Sequence, residues 1–196
     1  MAVFMSTGRI LNIPNILTLA RIALIPVFLA IAYWPPAIGI AEHHGGMMRH
    51  LILTAIFVLA AVTDWFDGYL ARTLNQTSAF GRFLDPVADK LMVAAALIVL
   101  VQWQPTISMA FAAIVIISRE ITVSALREWM AEFGARTSVA VSTVGKYKTA
   151  FQMIAISVFL LNWKPLEMWA YALLYAAVIV TLWSMFIYMN AAWPYL

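Results

Sequence analysis

The sequence predicts an all-α, polytopic membrane protein with six transmembrane helices, and three observations carry that expectation. First, the 196 residues are 64% hydrophobic and only 11% charged, with a mean hydropathy of +0.90, where soluble domains run near ~45–50% apolar and ~25% charged. Second, six apolar stretches each reach the length of about 20 residues that a helix needs to cross the hydrocarbon core. Third, no alternation of apolar and polar positions suggests a barrel, and in lipid only barrels and helices satisfy their own backbone hydrogen bonds. The length predicts one membrane domain, 1–196. The chain has no cysteine, which excludes disulfides and thiol chemistry. No nucleic-acid partner is expected.

In chain order, the opening "MAVFMSTGRILN" is compatible with a short amphipathic helix on the membrane surface. The first span, 13–34, reads as retained, because no small-residue cleavage site follows it and no removable signal peptide is expected. The longest connection, "PPAIGIAEHHGGMMRH" over 35–50, is punctuated by Pro and Gly and reads as a loop, with His43, His44 and His50 as solvated residues. Further spans follow at 50–74, 80–103, 106–132, 138–162 and 166–191, joined by short connections that make neighbours antiparallel. Trp34, Trp103, Trp163, Trp169 and Trp193 fall near span ends, as an interfacial aromatic belt requires. Trp65 reads as packing against a neighbouring span.

Basic residues set the orientation. With the N-terminus inside, ten of the twelve Lys and Arg residues lie on inner span ends or loops: Arg9, Arg21, Arg72, Arg82, Lys90, Arg119, Arg127, Arg136, Lys146 and Lys148. Only Arg49 and Lys164 lie outside. Both termini are therefore expected in the cytoplasm. The same topology puts Asp64, Asp67, Asp85, Asp89, Glu120, Glu128 and Glu132 in the inner halves of spans 2, 3 and 4. Intramembrane charge is costly and faces a bundle interior or a wet cavity, so a polar cavity open to the cytoplasm is expected.

Asp64 and Asp67 are spaced i, i+3, and Asp85 and Asp89 i, i+4, so each pair occupies one face of its helix. Four carboxylates meeting in a low dielectric must protonate or bind cations, and hard oxygen ligands favour Mg²⁺ or Mn²⁺. Two such ions suit a phosphate in transfer. Ion transport, or structural pairing with arginines, are the competing readings. Gly68 and Ala71 let a ligand approach a helix backbone closely, Arg72 offers a planar fork for phosphate, and Gly81 recurs before the second pair. A phosphorylated substrate needs these residues; a cation transporter does not.

Together these residues spell D-G-x2-A-R-x8-G-x3-D-x3-D, from Asp67 through Asp89, with Asp64 three positions earlier. This resembles, without departure, the motif of the CDP-alcohol phosphotransferase family. The resemblance implies six transmembrane helices, a homodimer, two divalent metals, and transfer of a phosphatidyl group from CDP-diacylglycerol to an alcohol with release of CMP. It further implies that Asp64, Asp67, Asp85 and Asp89 bind the metals, that Asp89 is also the general base, and that Gly68, Ala71, Arg72 and Gly81 line the CDP-diacylglycerol. Pro86 is expected to loosen the helix and help aim Asp85.

The segments "NIPNILTLARIALIPVF", "SREITVSALREWMAEFGARTSVAVSTVGKYKT" and "TLWSMFIYMNAA" are similar to a bacterial branch of that family whose acceptor is sn-glycerol 3-phosphate. That likeness implies a role in phospholipid biosynthesis in the bacterial cytoplasmic membrane. Inositol phosphate, serine and phosphatidylglycerol are the acceptors of sister branches, and the motif alone does not separate them. An acceptor with its own phosphate dianion needs cations. Arg119 and Lys146 are the first candidates, with Arg127, Lys148, and Arg21 beside Thr18. Arg119 and Arg127, eight residues apart, are expected near one face of span 4. Arg136 reads as a headgroup-facing residue, and Glu120 and Glu128 as partners of arginines.

Overall fold

The computed structural model describes residues 13–33, 42–73, 79–132 and 143–193. Each predicted span has its helix: α1 (Ile13–Tyr33), α2 (Glu42–Thr73), α3 (Ala79–Trp103), α4 (Ile107–Glu132), α5 (Thr143–Leu161) and α6 (Glu167–Ala192). Among the described residues there is no strand. Windows Asn15–Tyr33, Gly46–Asp64, Pro86–Trp103, Ile107–Met130 and Lys164–Asn190 are long and apolar enough to cross a membrane. This is a multi-pass membrane protein. Within the fifth predicted span, 138–162, the described residues Thr149–Leu161 form a shorter apolar stretch. The opening segment 1–12 lies outside the described residues.

One element departs from expectation. The segment from Glu42 to His50 is helix rather than loop, and α2 runs 32 residues. His43, His44 and His50 are helical positions and not loop residues, a correction to the sequence reading. The reason is cooperative. An apolar helix already nucleated by the span extends at low cost through residues that contain no proline, and Glu42 sits at the end where the helix dipole favours an acid. A helix of that length spans about 48 Å, against about 30 Å of hydrocarbon, so it is longer than a span requires.

The chain forms two compact units, 1–95 and 96–196, with the division inside α3. In the first, α1 packs on α2, burying Phe28 and Ala32 of α1 and Leu53, Phe57 and Ala60 of α2. Pro26 and Pro86 lie inside α1 and α3, which continue through them.

In the second unit α6 packs on both α5 and α4. Asn162 closes α5 in the left-handed conformation, φ 51°, a geometry asparagine tolerates; its N–H donates to the Phe159 carbonyl at 3.1 Å. Phe159 meets Tyr171 edge to face at 4.9 Å, and Tyr171 donates its hydroxyl to Gln104 Oε1 at 3.2 Å. Thr106 caps α4, accepting at Oγ1 from the Met109 N–H at 3.2 Å. Trp163, Trp169 and Trp193 are exposed at helix ends, as the interfacial belt requires. Trp34 and the Trp65 side chain lie outside the described residues.

Candidate active site

In the first unit α1 presents one buried polar stripe, Asn15, Thr18 and Arg21, at the three-residue spacing that keeps side chains on one helix face. Below it the same helix turns apolar. Arg21 Nη1 donates to Asp64 Oδ1 at 2.6 Å, with the arginine side chain 1% and the aspartate 43% exposed. A predicted acceptor residue and a predicted metal ligand are thus joined across α1 and α2. A cation inside a span needs such a partner. The bond engages one carboxylate oxygen, and Asp64 remains partly exposed.

Asp67 shares α2 with Asp64, and Asp85 shares α3 with Asp89, so the expected i, i+3 and i, i+4 spacings are helical. Asp89 is half-buried. Gly81 is buried near the start of α3. The side chains of Asp67, Ala71, Arg72 and Asp85, and the surroundings of Gly68, lie outside the described residues. Among the described residues no three metal-ligating side chains cluster; two of the four motif aspartates are among them.

In the second unit Arg119 is 8% exposed. Its Nη2 donates to Ser184 Oγ on α6 at 2.7 Å, its Nη1 to Glu120 Oε1 at 3.2 Å, and its Cζ stands 5.7 Å from the centroid of the Tyr188 ring, within cation–π range. Glu120 therefore pairs with an arginine, as expected. Arg127 is exposed, where Arg119 is buried; at 100° per residue an eight-residue step sets the two arginines about 80° apart on α4, still within one helix face. Glu128 is exposed. Lys146 and Lys148 begin α5, and their side chains, like Arg136, lie outside the described residues.

The chain matches the CDP-alcohol phosphatidyltransferase family over residues 11–183. It belongs to that family. Three curated relatives extend the likeness over nearly the whole chain, all named CDP-diacylglycerol–glycerol-3-phosphate 3-phosphatidyltransferase. The Pectobacterium atrosepticum protein is 50% identical over 184 residues, 92% of this chain and 94% of its own. The Yersinia enterocolitica protein is 48% identical over 186 residues, 93% and 96%. The Haemophilus influenzae protein is 49% identical over 182 residues, 92% and 93%.

Four buried polar residues of this CDP-alcohol phosphatidyltransferase were not singled out from the sequence: Asn15, Gln152, Thr181 and Ser184. Their signal was present but weak. Asn15 continues the Thr18–Arg21 stripe by one turn, and Thr181 and Ser184 share helical spacing with Tyr188.

Proposed function

We propose that this chain transfers the phosphatidyl group of CDP-diacylglycerol to sn-glycerol 3-phosphate, giving phosphatidylglycerophosphate and CMP, at the cytoplasmic face of a bacterial inner membrane. The observation that carries this reading is near-50% identity over more than nine-tenths of the chain to proteins named for that reaction. The excess of basic residues on one set of span ends supports the orientation. The enzyme is a phospholipid-biosynthetic transferase that acts as one membrane domain and a homodimer.

Asp64, Asp67, Asp85 and Asp89 would hold two divalent cations, Mg²⁺ or Mn²⁺. The donor set fits: all are hard carboxylate oxygens, and Asp64 keeps an exposed carboxylate with one oxygen bonded to Arg21. Such ions, when bound, neutralise charge on the pyrophosphate and on departing CMP. The residues of the chain do the rest. Gly68, Ala71 and Gly81 admit the cytidine diphosphate close to the helix backbones, and Arg72 supports its phosphates. Asp89 accepts the proton of the acceptor hydroxyl. The hydroxyl oxygen bonds to the phosphorus that carries diacylglycerol, while the bond from that phosphorus to the oxygen of CMP breaks. Arg119 and Lys146 receive the acceptor's phosphate, with Arg127, Lys148, Thr18 and Arg21 as further contributors. Arg21 also orients Asp64.

Purified protein supplied with CDP-diacylglycerol, labelled glycerol 3-phosphate and Mg²⁺ is expected to release CMP and form labelled lipid. No product, or equal product with inositol phosphate as acceptor, would overturn the assignment.

A further inference from the structure

Hydroxyls inside these helices mostly serve their own backbone. Thr54 Oγ1 donates to the His50 carbonyl at 2.8 Å, Thr63 to Leu59 at 2.8 Å, Ser124 to Glu120 at 2.7 Å and Ser157 to Met153 at 2.8 Å. This is the usual resort of Ser and Thr in a helix interior. Ser184 does otherwise. It is 1% exposed, and its Oγ accepts from Arg119 Nη2 on another helix at 2.7 Å. One turn on, Tyr188 places its ring beneath the same guanidinium.

Those contacts hold the guanidinium without discharging it. A serine hydroxyl and an aromatic face are neutral. The one carboxylate paired with it among the described residues, Glu120, is the next residue in the chain, at a longer 3.2 Å and in a partly exposed position. Of the five guanidinium N–H groups, two are used in these bonds, and the buried Nε lacks a hydrogen-bond partner among the described residues. Thr181 Oγ1, one turn before Ser184, is buried in the same condition. Such groups are expensive in a hydrocarbon surrounding, and an anion taking the Nε–Nη edge in bidentate fashion would relieve the cost. The α4–α6 seam beside them is solid, with Val123, Met130, Tyr188 and Ala192 buried together.

We propose that Ser184, assisted by the ring of Tyr188, is a positioning residue that sets the orientation of Arg119 and thereby the affinity for the phosphate of the acceptor. This rests on the reading above, in which Arg119 meets that phosphate. Ser184 touches no substrate; it acts through the arginine.

Steady-state kinetics on the full chain in detergent, each substrate varied in turn, test the proposal. Ser184→Ala is expected to raise KM for glycerol 3-phosphate about tenfold while KM for CDP-diacylglycerol stays within about twofold, the loss of one hydrogen bond to a charged group. Ser184→Thr, which restores a hydroxyl, should recover most of the difference. Tyr188→Phe keeps the ring and should behave as the parent, whereas Tyr188→Leu should raise acceptor KM. A purely structural role would lower the active fraction or shift both KM values alike, and would overturn the proposal. So would an unchanged acceptor KM in both Ser184→Ala and Tyr188→Leu. If the parent protein makes no lipid from glycerol 3-phosphate, the functional reading fails and this inference with it. If the parent turns over and the variants do not separate the two KM values, this inference alone fails.

Discussion

Arg21 on α1 donates from Nη1 to Asp64 Oδ1 on α2 at 2.6 Å, with the cation buried and the carboxylate half-exposed. The pair ties the polar stripe of α1 to the first aspartate of the motif. Its partial exposure keeps the Coulomb energy modest, but Arg21 itself is buried, so removing Asp64 takes a carboxylate partner from a charge that cannot return to water.

Coupling between the two follows. Arg21→Ala is expected to lower the melting temperature in detergent by about 2–8 °C, the equivalent of about 1–2 kcal/mol in a chain of this size. Adding Asp64→Ala should then cost less than Asp64→Ala costs alone. Thermal unfolding of the single and double variants measures this; additive shifts would show that the pair contributes nothing.

Asp89→Asn removes the proposed base while keeping the shape of the side chain. Turnover should fall to background, and CDP-diacylglycerol should still bind, as read by titration of the purified variant. Retained turnover would remove Asp89 from its role.

Arg119→Ala should raise KM for glycerol 3-phosphate about 10–100-fold, in line with a charge-assisted hydrogen bond to phosphate, and change the donor KM far less. Equal changes would mean that the acceptor phosphate is held elsewhere.

Chelation of divalent cations should abolish product formation, and added Mg²⁺ or Mn²⁺ should restore it. Activity that survives exhaustive chelation would contradict a carboxylate site built for hard cations.

The orientation can be read chemically, because the chain has no cysteine of its own. Met47 is exposed near the start of α2 and Glu132 is exposed at the end of α4. Met47→Cys should react with a membrane-impermeant thiol reagent in intact cells whose outer membrane has been made permeable, and Glu132→Cys only after the inner membrane is opened. The reverse pattern would invert the topology.

Helix placement was legible because apolar runs in lipid admit few structures. The start of α2 was not. Gly45 and Gly46 read locally as breakers, but a neighbouring span supplied the nucleus that extended the helix through them. In the candidate site, Arg119 stood out as an intramembrane charge, and Glu120 as its neighbour. Ser184 did not, because the sequence does not distinguish it from Ser124 or Ser157, which bond to their own helices. Which way such a hydroxyl turns depends on what the facing helix brings to it. Arg127 differs from Arg119 in burial rather than in face: eight residues overshoot two turns by about 80°, and its side chain is exposed.

The helix α6 is apolar on every side along most of its length. In lipid, hydrophobicity gives such a helix little reason to prefer one rotation about its axis over another. The seat that Ser184 and Tyr188 make for Arg119 supplies the preference that composition lacks. A buried cation on α4 thus works as an index mark toward one end of α6, as the Tyr171–Gln104 bond does toward the other, and together they choose the angle at which a nearly featureless rod stops turning.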